Sequence, residues 1–274
     1  MTSINTNYAA MLAAQNLNAT TTALGQVQTR IATGLRVSSA KDNGAIYGIA
    51  LRQQATSQSL NAVRESLQRT QSVVDVSLSA GETITDLLTQ LKEKALAAID
   101  GSLSSSDRSS LNTDFNALKN QITNASTVSG FNGTSLISAT AGFVRALASD
   151  TGTQFISISQ QPLNLGGPNV TVAVGTSLGT AALASTALSL VNASINNVAL
   201  ALSKLGTGAK ALENHTIFIN KLQDAVDNGI GNIIDADMAK EASKLQSMQA
   251  KQQLGFQALS IANQGPSNLL GLFR

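Results

Sequence analysis

Cysteine and tryptophan are absent from this chain, proline occurs three times and histidine once. Without cysteine no disulfide can staple the fold and no thiolate can act as nucleophile or metal ligand, so stability must come from packing. The single histidine, His215 in Glu213-Asn214-His215-Thr216, has no second imidazole to complete a metal site, and a helix-surface or interface role is expected of it. Aromatic residues make up 3% of the chain, leaving seven Phe and two Tyr, which suits a slender core of Leu, Ile, Val and Ala better than a broad one. Charge is also scarce: Asp, Glu, Lys and Arg together are 12% of the chain, about half the usual share, so copies repel one another weakly. The net charge of +2 comes from scattered Lys and Arg without cluster or aromatic interleaving, which excludes the footprint of a nucleic-acid binder. The first fifteen residues hold neither a basic cluster nor a continuous apolar run, so neither a cleaved signal peptide nor a membrane anchor is expected there.

What is present is periodicity. Leu60, Val63, Leu67, Thr70, Val74, Ser77, Gly81, Ile84, Leu88, Leu91, Ala95 and Ala98 follow one another at alternating steps of three and four, the spacing of a heptad seam. No proline precedes Pro162, so residues 41–99 can run as one helix roughly 90 Å long. Asp100-Gly101-Ser102 breaks it, and Ser104 with Asp107 offers a capping-box-like start to a second helix seamed by Leu111, Phe115, Leu118 and Ile122. A loop that short implies an antiparallel return. The third seam is the strongest, running from Leu188 through Val191, Val198, Leu205, Leu212 and Ile219 to Ile233.

Between the helices the pattern changes. Phe131-Asn132-Gly133 marks a turn, while Phe155-Ile156-Ser157-Ile158-Ser159 and Val170-Thr171-Val172-Ala173-Val174 alternate at period two. One or two β-hairpins at about residues 131–180 are therefore expected, inserted in a mainly α, long antiparallel coiled-coil rod that covers residues 41–234. The ends, residues 1–40 and 235–274, keep helical spacing through Leu24, Val27, Ile31 and Leu35 and through Met238, Leu245, Met248, Phe256 and Leu259. Such narrow stripes bury too little alone to offset the entropy of ordering, so partners must cover them.

The termini resemble those of bacterial flagellins. The likeness is carried by Ile4-Asn5-Thr6-Asn7, Asn16-Leu17 and Thr33-Gly34-Leu35-Arg36-Val37-Ser38-Ser39-Ala40-Lys41-Asp42-Asn43 at one end. Ile234-Asp235-Ala236-Asp237-Met238-Ala239-Lys240-Glu241, Gln252-Gln253-Leu254, Ala262-Asn263-Gln264-Gly265-Pro266 and Leu269-Leu270-Gly271-Leu272-Phe273-Arg274 carry it at the other. The interior is short and similar to that of compact flagellins lacking large outer domains. The resemblance implies a subunit of the extracellular flagellar filament that enables motility, exported unfolded through the flagellar channel, its termini ordering on assembly into a coiled-coil core. It implies as partners further copies of the chain or of paralogous flagellins, the hook-associated junction and cap proteins, and a flagellar export chaperone. One departure stands out: where many flagellins read Leu-Gln-Arg-x-Arg-Glu-Leu, this chain has Leu88-Thr89-Gln90-Leu91-Lys92-Glu93-Lys94. The arginine-bearing pattern favours an innate immune receptor, so Gln90, Lys92, Glu93 and Lys94 form a degenerate motif in which Lys94 is expected to bring an unpaired charge to an apolar contact.

Chemical readings are weaker. The inserted metallopeptidase of some flagellins needs His-Glu-x-x-His, which one histidine cannot supply. Asp235, Asp237 and Glu241 lack the closed pocket that acid–base work needs. Gly206-Thr207-Gly208 follows no strand and precedes no Gly-Lys-Ser, so a kink or small-residue packing site is expected there instead of a phosphate loop. Thr151, Thr153, Ser157 and Thr176 are candidate acceptors of O-linked sugars. No cofactor is implied and an enzyme is disfavoured. A hook-junction adaptor or an adhesive surface protein displaying the hairpin are the competing readings. Placing a charge in the terminal seam with Ile31→Asp should leave the central helices folded and block filament growth, as measured by seeded elongation.

Overall fold

The computed structural model describes residues 6–138 and 142–271. It is mainly helical: α1 (Tyr8–Thr33), α2 (Gly44–Ala98), α3 (Ser105–Val128), a hairpin of β1 (Phe143–Leu147) and β2 (Phe155–Ser159), then α4 (Ala181–Ile234) and α5 (Met238–Gly271). Contacts divide these into two units, one of described residues up to Ala55 and from Ala225, the other Thr56–Asp224.

In the Thr56–Asp224 unit the heptad reading of α2 holds at all twelve positions. Leu60, Val63, Leu67, Val74, Ile84, Leu88, Leu91, Ala95 and Ala98 are buried, and so are Thr70, Ser77 and Gly81. The polar members have their own uses. Ser77 donates its hydroxyl to Val73 O at 2.7 Å and accepts Leu136 N–H at 3.3 Å. Gly81 lies under Leu202, whose Cδ2 would come within 2.3 Å of an added Cβ. On the facing α4, Val191, Val198, Leu205, Leu212 and Ile219 are buried at steps of seven. Gly81 meets Leu202 and Arg64 meets Gln223, so α2 and α4 run antiparallel. α4 is long and apolar enough to cross a membrane by composition, yet this stripe packs into the unit's own core.

α3 returns beside the end of α2. Ser104 caps it, accepting Asp107 N–H and donating to Asp107 Oδ2 at 2.7 Å. Buried Arg108 donates to Ala98 O and Asp100 O, covering carbonyls that the end of α2 leaves open. Phe115, Leu118 and Ile122 enter the core. Lys119 is 4% exposed and donates to Val174 O at 2.7 Å and Thr176 O at 2.6 Å, tying the segment before α4 to α3. Burial pushes its ammonium below the usual lysine range.

The hairpin differs from the sequence expectation. β2 pairs with β1 upstream in antiparallel register, Val144 opposite Ile158 and Ala146 opposite Ile156. Phe143-Val144-Arg145-Ala146-Leu147 lacks clean alternation, which hid it from a period-two search. Residues 170–174 are not a strand. Val170 and Val172 are fully buried, so the alternation is real, but Thr171 N–H goes to Ser194 Oγ of α4 and Val172 O accepts Gly166 N–H. Burial against a helix gives a segment the same two-residue rhythm as a ladder. The hairpin is seated on the helices by Leu147 N–H on Ser66 Oγ and by Ile158 over Gly208, where an added Cβ would lie 3.1 Å from Ile158 Cδ1. Within Gly206-Thr207-Gly208, Gly208 is thus a small-residue packing position inside α4, while an added Cβ at Gly206 would meet nothing within 4 Å.

Serine and threonine hydroxyls along the helices mostly donate to the carbonyl one turn back, as from Thr20, Thr29, Thr83, Thr89, Thr113 and Thr207. Replacing Lys119 with Ala should destabilise the Thr56–Asp224 unit by about 2–3 kcal/mol through two lost charge-assisted bonds, measured by urea denaturation.

Candidate assembly interface

α1 begins at Asn7, whose Oδ1 accepts Ala10 N–H at 3.1 Å, and ends at Gly34, which takes the left-handed conformation at φ 72° that glycine adopts without a Cβ penalty. α5 begins at Asp237, whose Oδ1 accepts Lys240 N–H at 3.1 Å. Asp237 therefore caps a helix. Ile4, Asn5 and Leu272-Phe273-Arg274 of the terminal signatures lie outside the described residues.

The two helices pack antiparallel. Asn7 Nδ2 donates to Ala262 O at 2.7 Å, Leu17 packs on Gly255, Gln252 reaches Thr21 at 3.4 Å, and Arg30 pairs with Glu241. At the base a bridge joins Leu35 to Asp235, with Arg36 N–H on Ile234 O at 2.6 Å and Ala236 N–H on Gly34 O at 2.9 Å. The Asp42 carboxylate gathers the N–H and hydroxyl groups of Ser38 and Ser39, which hold it below the usual carboxylate range. A cleft of about 550 Å³ beside the bridge is lined by Leu35, Val37, Tyr47, Leu51, Ile230 and Ile234.

The stripe residues read from sequence divide between two faces. Leu24 and Val27 are buried and Ile31 and Leu35 half-buried, and on α5 Leu245, Met248 and Leu259 are half-buried on the same inner seam. Met238 shares that register but sits in the first turn, 45% exposed. Phe256 is 56% exposed, because it is one step beyond seam position Gly255 and so turned about 100° away from α1. The sequence reading missed Leu17, which lies one heptad before Leu24, and Gly255, whose added Cβ would lie 3.0 Å from Leu17 Cδ1. It also missed the polar centre of the pair. Glu241 is buried, with Oε1 3.6 Å from Arg30 Nη1 and 3.0 Å from Lys244 Nζ, while Oε2 has no hydrogen-bond partner.

Away from the inner seam the pair keeps apolar side chains in solvent. Tyr8, Met11 and Leu12 of α1 and Leu254 and Ile261 of α5 are between 48% and 78% exposed.

The other candidate residues lie in the Thr56–Asp224 unit. Gln90, Lys92 and Glu93 are exposed on α2. Lys94 is half-buried with its Nζ 2.7 Å from Asp114 Oδ2 on α3, the antiparallel return having brought a carboxylate beside it. Thr151 and Thr153 are exposed in the hairpin loop and Ser157 on β2, while Thr176 is half-buried. His215 donates from Nε2 to Ala148 O at 2.8 Å, holding that loop to α4. No cluster of three metal-ligating side chains occurs among the described residues.

Comparison with known proteins agrees with this architecture. Residues 4–141 match the bacterial flagellin N-terminal helical region and residues 188–273 the bacterial flagellin C-terminal helical region. The chain is 49% identical to flagellin FljM and 48% identical to flagellin FljO of Caulobacter vibrioides, in each case over 100% of this chain and 99% of the relative. A flagellar hook-associated protein from Vibrio parahaemolyticus shares the fold, with a TM-score of 0.57 at 13% identity over 71% of this chain and 100% of that one.

Proposed function

Because this chain belongs to the bacterial flagellin family, and is therefore a structural subunit that polymerises into the extracellular filament bacteria use for motility, we propose that α1 and α5 are its polymerising element. The observation that carries this reading is the uncovered outer face of the pair: Met11, Leu12, Leu254 and Ile261 remain 48% to 70% exposed although the opposite face is packed. Leu24, Val27, Ile31, Leu35, Leu245, Met248 and Leu259 then hold the two helices together, and Met238 and Phe256 join the outer residues in meeting the next copy. Each large apolar side chain that a neighbour covers contributes up to about 1.5–3 kcal/mol. Contact between two unlike faces, when its rotation does not close into a ring, propagates as a helical polymer.

Residues 1–40 with 235–274 carry polymerisation in this reading, and residues 41–234 form the helical domain with its hairpin insertion. The same faces would meet hook-associated junction and cap proteins at the filament ends, paralogous flagellins along it, and an export chaperone before assembly. The lack of cysteine suits passage through a channel as an extended thread. No catalytic role is proposed. Exposed Thr151, Thr153 and Ser157 are the better-placed acceptors for O-linked sugars, and half-buried Thr176 the poorer one.

Gln90 with Lys92, Glu93 and an already engaged Lys94 supports weak recognition by the immune receptor that favours arginine here, since a guanidinium's bidentate fork is missing. A receptor-reporter assay with monomer should show potency well below that of an arginine-bearing flagellin, and equal potency would refute it. For polymerisation, the double substitution Leu254→Ser with Phe256→Ser should leave helix content unchanged by circular dichroism and abolish seeded elongation. Normal filaments from it would reject the interface.

A further inference from the structure

The terminal helix pair holds very little charge, and its distribution is informative. Arg30 is the one charged residue of α1, and Glu241 is the one acidic residue of α5. These two meet, and their partnership is the only cross-pair of opposite charge that the two helices can make. The geometry points to a role for it: we propose that the Arg30–Glu241 ion pair is the register pin of the α1–α5 pair, selecting one heptad alignment of the terminal helices and so the face they offer the next copy. This rests on the reading of α1 and α5 as the polymerising element.

The apolar seam makes that selection only in part, through the close fit of Leu17 on Gly255. A slip of seven residues, about 10.5 Å along the axis, moves Leu17 from Gly255 to Met248 or Ala262, which are apolar but carry a Cβ, so packing alone opposes the slip by a close contact that neighbouring side chains can relieve. The segment between α1 and α2, residues 34–43, is long enough to absorb such a shift. The backbone bridge at Leu35 and Asp235 uses main-chain groups that every residue carries, the Asn7 Nδ2 bond ends on a main-chain carbonyl that any residue could offer, and the Thr21–Gln252 contact is exposed and long at 3.4 Å. Glu241 is different because its side chain is only 6% exposed. In the observed alignment it faces Arg30, whereas a slip of one heptad places it opposite Ala23 or Val37. The carboxylate would then be buried with only Lys244 of its own helix beside it and Oε2 still unpartnered. A buried carboxylate that loses one of its two cationic partners is disfavoured, so the Arg30 pair adds a penalty against alignments that packing opposes only weakly.

The absence of cysteine makes the register directly measurable. A Cβ built on Gly255 lies 3.8 Å from Leu17 Cβ, inside the range for a disulfide. Full-length protein carrying Leu17→Cys with Gly255→Cys would be assembled into seeded filaments, oxidised, and scored for the intramolecular link. The same would be done with Leu17→Cys paired to Met248→Cys or to Ala262→Cys, each in the native background and with Glu241→Gln. In the native background the link should form through positions 17 and 255. With Glu241→Gln the slipped pairs should gain at least about tenfold in yield relative to the 17–255 pair, and exchanging the charges with Arg30→Glu and Glu241→Arg should restore the native distribution. An unchanged distribution in the Glu241→Gln background overturns the pin and leaves the polymerising element standing. Failure of the 17–255 link in native filaments overturns both.

Discussion

Everything in this molecule depends on apolar side chains recurring every three and four residues along helices that lie antiparallel. With few aromatic groups to fill space, the helices must approach closely, and the seams accordingly contain Gly, Ala, Ser and Thr between their large residues. Leu202 over Gly81, Ile158 over Gly208 and Leu17 against Gly255 are three instances of one solution, a branched side chain resting where the facing helix offers no Cβ. Each closes a gap that a larger residue would wedge open.

Several polar groups drawn into the seams of the Thr56–Asp224 unit are bonded to something specific. Ser77 and Ser66 receive the backbone of the connecting segments, Arg108 covers the last carbonyls of α2, and Lys119 fastens the approach to α4. The central helices thereby serve as a surface on which irregular segments are hung at defined points. Among the described residues, the terminal pair keeps several large apolar side chains in solvent. The two units thus differ in kind: one buries its apolar seams within the chain, and the other leaves part of its apolar surface exposed.

Much of this was legible from sequence. The seams of α2, α3 and α4, the break at Asp100, the cap at Ser104 and the heptad spacing at both ends follow from period alone, because a long helix repeats its signal many times. The hairpin was half legible. β2 alternates and was found, β1 does not and was missed, and residues 170–174 alternate because a helix, not a strand, lies beneath them. Lys94 and Glu241 show the other limit. Which charge meets Lys94 depends on how α3 folds back, and the pairing of Arg30 with Glu241 spans almost the whole chain, so neither partner could be chosen from local spacing.

The hydroxyls that donate to carbonyls one turn back change what the helix surfaces are. A threonine whose Oγ1 already donates to a backbone carbonyl has no hydroxyl donor left to satisfy from water or a neighbour. Surfaces that look polar by composition can therefore be dehydrated without stranding a donor, so crowding many copies side by side sacrifices few solvent hydrogen bonds. That lets a chain be soluble in dilute suspension and still consent to dense lateral stacking.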